Sequence, residues 1–176
     1  MDFMVTEIRS FYSLKELRDN ILEEINQYQA MKEEYSQWLG SFLRTAETSH
    51  GKEEWFKQMT LLQKTLKSGK GKKEKPKKQT TSTEWIPYRD IALSTSEQGE
   101  AEILFEAIEE IDKKIEQLEK AKTTIEELEK TGLGKNILYI TYLRDGIPQK
   151  IVLHYKKGEE IAEKFQFAIK FSTASQ

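Results

Sequence analysis

Two long stretches of this sequence carry apolar residues at alternating steps of three and four positions, and no other feature restricts the fold as much. This spacing places side chains on one face of an α-helix, so it predicts helices over 13–45 and 97–130. The first stripe, which has a gap at Glu24 that Ile25 can cover, is Leu14, Leu17, Ile21, Tyr28, Met31, Tyr35, Trp38 and Phe42. The second stripe, interrupted at Lys122, is Ala101, Leu104, Ile108, Ile111, Ile115, Leu118 and Ile125.

Local signals at the ends of these stretches support the same two helices. Ser13 followed three residues later by Glu16 has the capping-box spacing, and Thr131-Gly132 is typical of a glycine C-cap. Each helix spans about 50 Å at 1.5 Å per residue, so we expect the two to pair lengthwise. They can pair within one chain or with a second copy, and the spacing alone does not choose between these arrangements.

A shorter helix is predicted over 52–67, between two breaks that contain glycine. Its apolar side is Trp55, Phe56, Met59, Leu62 and Leu66. The apolar cluster that precedes the second long helix is Trp85-Ile86-Pro87-Tyr88 with Ile91-Ala92-Leu93. We expect this cluster to dock on the rest of the protein as extended chain.

After Gly134 the apolar period changes from 3.6 to 2, which predicts β-strands. Asp145-Gly146 is a two-residue hairpin signal, since both residues tolerate positive φ. This turn would place Arg144 opposite Ile147 and, further along, Ile140 opposite Ile151 and Leu138 opposite Leu153, with Leu138, Ile140, Ile151 and Leu153 on one face. A third strand is predicted at Phe165, Phe167, Ile169 and Phe171, and a fourth at Phe3-Met4-Val5.

The predicted fold class is therefore α+β. Two long helices form an antiparallel, coiled-coil-like hairpin with a short helix, and a C-terminal three-stranded antiparallel meander caps them, joined by the N-terminal fourth strand. The expected segments are 1–67 with two helices, a lysine-rich loop at 68–84, the docking segment and second long helix at 85–134, and the meander at 135–176. All four are expected to belong to one structural domain.

The formal net charge of −2 conceals a strong asymmetry. Residues 64–79 contain eight lysines and one glutamate, a net charge of +7, so the remaining residues carry −9. The lysine segment can neutralise phosphates, yet it has no arginine for guanine readout and no aromatic residue for base stacking. The simpler alternative is a solvated loop close to an acidic helix. The candidate contact residues are Lys70, Lys72, Lys73, Lys75, Lys77 and Lys78.

Motifs for catalysis, cofactors and metals are not found in the sequence. It has no cysteine, and its two histidines, His50 and His154, are more than 100 positions apart. Gly132-Leu133-Gly134-Lys135-Asn136 lacks the first glycine of a P-loop and follows a helix instead of preceding one. We therefore expect a non-enzymatic protein without a cofactor. An enzyme that uses carboxylates between sheet and helices is kept as a third alternative.

The function that these features favour is an interaction or scaffolding role. The protein would self-associate or bind a protein partner through apolar coil and sheet surface, and the coil surface would be formed by Leu104, Ile108, Ile111, Ile115, Leu118 and Ile125. The alternative is a nucleic-acid accessory protein that contacts phosphates through the lysine segment. The N-terminus has no secretory pattern and no apolar run approaches the length of a membrane span, so we expect a cytoplasmic protein without membrane partners.

Overall fold

The computed structural model describes residues 5–68, 85–133 and 136–155. The elements within them are β1 (Thr6–Phe11), α1 (Leu14–His50), α2 (Glu54–Ser68), β2 (Ile86–Tyr88), β3 (Ile91–Leu93), α3 (Glu97–Lys130), β4 (Ile137–Arg144) and β5 (Ile147–Tyr155). The α+β class is confirmed, with two long helices, one short helix and an antiparallel sheet. The chain groups into two compact units, one formed by Met1–Gln29 with Lys113–Gln176 and the other by Ala30–Asp112. That all predicted segments belong to one structural domain stays a prediction.

The ends of the long helices follow the predicted signals. The Glu16 amide donates to Ser13 Oγ at 3.0 Å, and the Glu16 carboxylate accepts from the Tyr12 amide at 2.9 Å. α1 continues past the predicted end at residue 45 and stops at Gly51, where a Cβ would lie 2.6 Å from the Glu47 carbonyl oxygen. α3 has the predicted bounds and ends at Gly132, which has a φ of +73°.

The first unit packs one end of each long helix against a sheet whose described strands have the order β1-β4-β5. Arg18 on α1 forms an ion pair with Glu129 on α3 at 2.8 Å, and Glu24 interacts electrostatically with Lys114. The start of α1 thus lies beside the end of α3, and a later part of α1 beside an earlier part of α3, so the helices run antiparallel within one chain in this unit. The buried core is Phe11, Leu14, Leu17, Ile21, Ile25, Leu118, Ile125, Ile137, Tyr139 and Leu143.

The β4–β5 register departs from the prediction by one residue. The turn is as predicted, since Arg144 pairs with Ile147 and Asp145 and Gly146 have φ of 52° and 79°. A bulge at Gln149 then shifts the pairing, so Ile140 lies opposite Val152 and Leu138 opposite His154. The predicted apolar face was therefore wrong on β4. The residues that pack into the core are Ile137, Tyr139 and Leu143 of β4 with Ile151, Leu153 and Tyr155 of β5.

An N-terminal strand joins the sheet at Thr6–Phe11, and of the predicted strand Phe3-Met4-Val5 only Val5, which precedes it, is described. It pairs antiparallel with β4, from Thr6 opposite Arg144 to Phe11 opposite Tyr139. Residues 3 and 4 and the predicted strand at Phe165, Phe167, Ile169 and Phe171 lie outside the described residues. The predicted meander is thus described only in its first two strands.

Within its described residues, the second unit consists of helices and one β-hairpin. Lys32 pairs with Asp112 at 2.5 Å and His50 with Glu97 at 2.7 Å, so α1 and α3 are antiparallel here as well. The buried core is Leu39, Leu43, Ala46, Trp55, Phe56, Ala101, Leu104, Phe105 and Ile108. Met59, Leu62 and Leu66 of α2 pack against it, as the predicted apolar side of the short helix requires.

The buried face of α1 drifts away from the strict heptad stripe along the helix. Leu17, Ile21 and Ile25 are buried at two successive steps of four, and in the second unit Leu39 and Leu43 are buried. Trp38, which the heptad places in the core, is 51% exposed, and Met31 is 40% exposed. An α-helix has 3.6 residues per turn while a heptad supplies 3.5, so extra steps of four keep one face directed inward.

Candidate functional site

The apolar cluster at residues 85–93 forms a β-hairpin. β2 and β3 pair antiparallel, with Ile86 opposite Leu93 and Tyr88 opposite Ile91. A two-residue turn, Arg89-Asp90, connects the strands, and Arg89 takes the positive φ of 54° that such turns need. This hairpin was not predicted, although a two-residue polar link between short alternating apolar segments is a signal that indicates one.

One face of this hairpin consists of large apolar side chains that remain open to solvent. Alternate residues of a strand share a face, and paired residues lie on the same face. Ile86, Tyr88, Ile91 and Leu93 therefore form one surface. We call Ile86, Tyr88, Ile91 and Leu93 the hairpin face; they are 62%, 62%, 65% and 51% exposed, respectively. The expectation that this segment docks on the protein is therefore wrong for these side chains in the described residues.

The base of the hairpin is attached to α3. The Trp85 indole Nε1 donates to Glu102 Oε2 at 2.9 Å, and Trp85 is half-buried. Ser94 accepts from the Ser96 amide at 3.2 Å, and Ser96 Oγ caps α3 by accepting from the Gly99 amide at 3.0 Å. These contacts fix both ends of the hairpin while its apolar face stays uncovered.

The predicted coil surface lies inside the protein. Leu104 and Ile108 belong to the core of the second unit, and Leu118 and Ile125 to the core of the first. Ile111 is also buried, and Ile115 is partly buried against the first core. These side chains hold the chain's own helices together, so they are not an open surface for a partner.

The lysine contact residues Lys70, Lys72, Lys73, Lys75, Lys77 and Lys78 lie outside the described residues. Lys64 and Lys67, at the start of the basic segment, are exposed on α2. The lysine segment thus stays a sequence-based candidate. Among the aromatic residues of the first apolar stripe, Tyr35 and Phe42 pack against the second core, whereas Trp38 is half-exposed with its ring centroid 6.4 Å from that of Tyr35.

His50 lies between two carboxylates where helix ends meet in the second unit. Its Nδ1 is 2.8 Å from Glu53 Oε1 and its Nε2 is 2.7 Å from Glu97 Oε2. The hydrogen bond with Glu53 is the main cause that raises the pKa of His50, and the same bond lowers the pKa of Glu53. Trp55 also donates to Glu53, and its ring lies 5.4 Å from the imidazole. The second histidine, His154, is exposed on β5.

The cluster around His50 does not form a metal site. No group of three or more His, Asp or Glu side chains among the described residues has an arrangement that could hold a metal ion. Both ring nitrogens of His50 are engaged by carboxylates, which leaves neither one for a substrate.

In the glycine-lysine segment after α3, Gly134 and Lys135 lie outside the described residues. None of the described helices combines the length and apolar character that crossing a bilayer requires.

No protein-family model, curated protein or solved structure matches this chain.

Proposed function

We propose that this is a non-enzymatic interaction protein that binds protein, either a second copy of itself or another chain, through the hairpin face. The observation that supports this proposal is the exposure of Ile86, Tyr88, Ile91 and Leu93 on one side of a short hairpin. Contiguous exposed apolar side chains mark binding surfaces more often than isolated ones do. The coil residues that were the other candidates are buried, except Ile115, which is partly buried.

The energetics of the hairpin support the same proposal. A two-stranded ribbon with three-residue strands is marginal in water without packing on one face. Covering a large apolar side chain contributes about 1.5–3 kcal/mol before the entropy cost of association. A partner would therefore gain from four such side chains and would at the same time order the hairpin. Tyr88 adds an aromatic side chain of the kind that dominates binding energy at interfaces.

The first experiment compares two equally exposed apolar residues of the second unit. Ile91 on the hairpin face is 65% exposed and Leu61 on α2 is 63% exposed. Sedimentation equilibrium of Ile91→Asp, Leu61→Asp and the unchanged protein measures self-association over a wide concentration range. We expect the unchanged protein and Leu61→Asp to self-associate and Ile91→Asp to remain a monomer. Circular dichroism verifies that both variants fold.

A second experiment addresses a partner other than a second copy. A photoreactive amino acid placed at position 91 or at position 61 crosslinks only molecules that lie against it. A discrete adduct from position 91, lost when Tyr88→Ser is added, supports the proposal. A monomer that gives no adduct at position 91, or the same adducts from both positions, contradicts it.

We keep nucleic-acid binding by the lysine segment as a second candidate function, because eight lysines lie within residues 64–79. Phosphate contacts of this kind are independent of base sequence and weaken steeply with salt. Titration with duplex and single-stranded DNA and RNA at two salt concentrations tests the idea. Deleting residues 68–80 should abolish binding, and an absence of binding at low salt rules this candidate out.

A further inference from the structure

A groove in the first unit runs between α3 and the turn that joins β4 to β5. Its volume is about 490 Å³, which is within the range of small-molecule sites. The helix contributes Lys114 and Lys120 to its lining, and the strand turn contributes Arg144 and Asp145. Ala121 and Pro148 provide apolar surface within the groove. The groove is thus cationic at several points and apolar at others.

The positive charge of this groove contrasts with the rest of α3. Residues 100–130 carry eleven acids and five lysines, yet none of the α3 residues that line the groove is acidic. The groove also contains one acid, Asp145, whose Oδ1 accepts from the Val5 amide at 2.8 Å. Lys120 has a surface partner in Glu116 at 3.2 Å, and Arg144 donates to the Gln149 amide oxygen at 3.2 Å.

Lys114 is a groove cation without a close ion-pair partner among the described residues. It takes part in none of the ion pairs found among the described residues, and it is half-buried. Burial lowers the pKa of its ammonium group, and the longer-range attraction of Asp145 and Glu24 offsets only part of that effect. An anion in the groove would supply the close partner that Lys114 lacks among the described residues.

We propose that this groove binds a small phosphate monoester, with Lys114, Lys120 and Arg144 around the phosphate and the organic part against Ala121 and Pro148. A monoester fits better than a carboxylate, since it carries about −1.5 to −2 charge and three acceptor oxygens near neutral pH. The volume exceeds what a bare phosphate fills, so an organic group has room beside it. This inference is independent of the hairpin face, which belongs to the other unit.

The test uses the full chain and three probes: adenosine 5′-monophosphate, adenosine and inorganic phosphate. Two-dimensional amide NMR spectra are recorded as each probe is added. We expect the monophosphate to shift the amide signals of Lys114, Arg144 and Gly146, with an effect that weakens as salt rises. Adenosine, which has the organic group without the charge, should leave these signals in place, and inorganic phosphate should bind more weakly than the monophosphate.

A matched pair of variants locates the site. Lys114→Gln and Lys113→Gln remove the same charge from neighbouring positions of α3, but only Lys114 lines the groove. We expect Lys114→Gln to weaken monophosphate binding about tenfold, the scale of one lost charge-assisted hydrogen bond, while Lys113→Gln leaves it almost unchanged. Circular dichroism verifies that both variants are folded.

Four results would overturn the proposal: unchanged groove signals with all probes, equal losses from the two variants, equal shifts with adenosine and the monophosphate, or equal binding of inorganic phosphate and the monophosphate. The last result would mean that the groove holds any oxyanion and selects no monoester.

Discussion

At the scale of single residues, the contacts of His50 favour its charged form. A neutral imidazole has one N–H and can donate to only one acceptor, whereas the imidazolium donates from both nitrogens. Carboxylate oxygens lie 2.8 Å from Nδ1 and 2.7 Å from Nε2, so both contacts are hydrogen bonds only when His50 is protonated. The described groups that face it are Glu53 and Glu97, together with the ring of Trp55. These contacts therefore favour the protonated form of His50 and raise its pKa.

The first prediction concerns the pH dependence of stability. A histidine whose folded pKa is raised contributes stability that is complete below its unfolded pKa and disappears as pH rises through the folded value. Replacing His50 with Gln should therefore destabilise the protein more at about pH 6 than at about pH 9. Urea unfolding followed by tryptophan fluorescence measures both differences. The lower of the two pH values is still above the range in which Glu53 titrates, so Glu53 keeps its charge in both measurements. Equal destabilisation at both pH values would contradict a raised pKa of His50.

At the scale of elements, a single residue decides which side chains of β5 oppose which side chains of β4. The Asp145-Gly146 turn correctly predicted the Arg144–Ile147 pair, because two-residue turns fix the first pairs by local geometry. The bulge at Gln149 then changes every later pair. The side chain of Gln149 stabilises it locally, accepting from Arg144 at 3.2 Å and donating to the Ile147 carbonyl at 3.3 Å. Its neighbour Pro148 lacks an amide hydrogen, which is a signal for a bulge that the prediction did not use.

The second prediction tests this bulge. Deleting Gln149 forces β5 either to move Ile151 and Leu153 out of the core or to lose pairs next to the turn. We expect a loss of several kcal/mol, since each of these side chains contributes about 1.5–3 kcal/mol when fully buried. Gln149→Ala keeps the chain length and loses only side-chain hydrogen bonds, for a cost of about 1 kcal/mol. Denaturant unfolding compares the two variants, and equal costs would mean that the extra residue is not what sets the register.

For the helices, local signals predicted the boundaries better than periodicity predicted the buried face. The bounds of α3 matched because serine caps and a glycine stop act within one turn of the helix. The inward residues of α1 did not follow the heptad, because a real helix must insert steps of four to stay aligned with its partner. Leu39 thus occupies the core where Trp38 was expected.

The third prediction follows from this drift. Leu39→Ala should destabilise the protein by about 2–5 kcal/mol, the usual cost of removing a buried leucine side chain. Met31→Ala, at a heptad position that is 40% exposed, should cost less than about 1 kcal/mol. Chemical denaturation of the two variants measures these costs. If the strict heptad determined which residues are buried, Met31→Ala would cost more stability than Leu39→Ala.

The grouping of the hairpin-face side chains can be predicted from the sequence, but their exposure to solvent cannot. Alternation in Ile86-Pro87-Tyr88 and Ile91-Ala92-Leu93 is sufficient to place the four large side chains together. Whether such a face is covered depends on residues far away in the sequence, which no local pattern reveals. The groove beside Lys114 could not be predicted for the same reason, because a helix and a distant strand turn form it together.

At the scale of the whole molecule, the two units differ in how the chain builds them. The second unit is one continuous segment, Ala30–Asp112, while the first combines both flanking segments. All three tryptophans, Trp38, Trp55 and Trp85, belong to the second unit. Tryptophan fluorescence therefore reports on the continuous unit alone, and amide protection on β1 and β4 reports on the discontinuous one.

The fourth prediction is an order of refolding. Contacts between residues far apart in sequence form more slowly, because closing a long loop costs entropy before the contact contributes any stability. After dilution from denaturant, tryptophan fluorescence should reach its native value before the amides of β1 and β4 become protected from hydrogen exchange. Rapid-mixing fluorescence and pulse-labelled exchange measure the two times. Protection of β1 that precedes the fluorescence change would contradict this order.

The hydrogen-bonded pair of Val5 and Asp145 also has a consequence during synthesis of the protein. The two residues exchange hydrogen bonds of 2.8 Å in both directions although they are 140 residues apart. At translation rates of about 5–20 residues per second, β1 leaves the ribosome many seconds before β4 exists. A strand without a partner is prone to join other nascent chains, and charged residues discourage such pairing. Glu7 and Arg9 place both signs of charge within β1, which suits a strand that must wait for its partner.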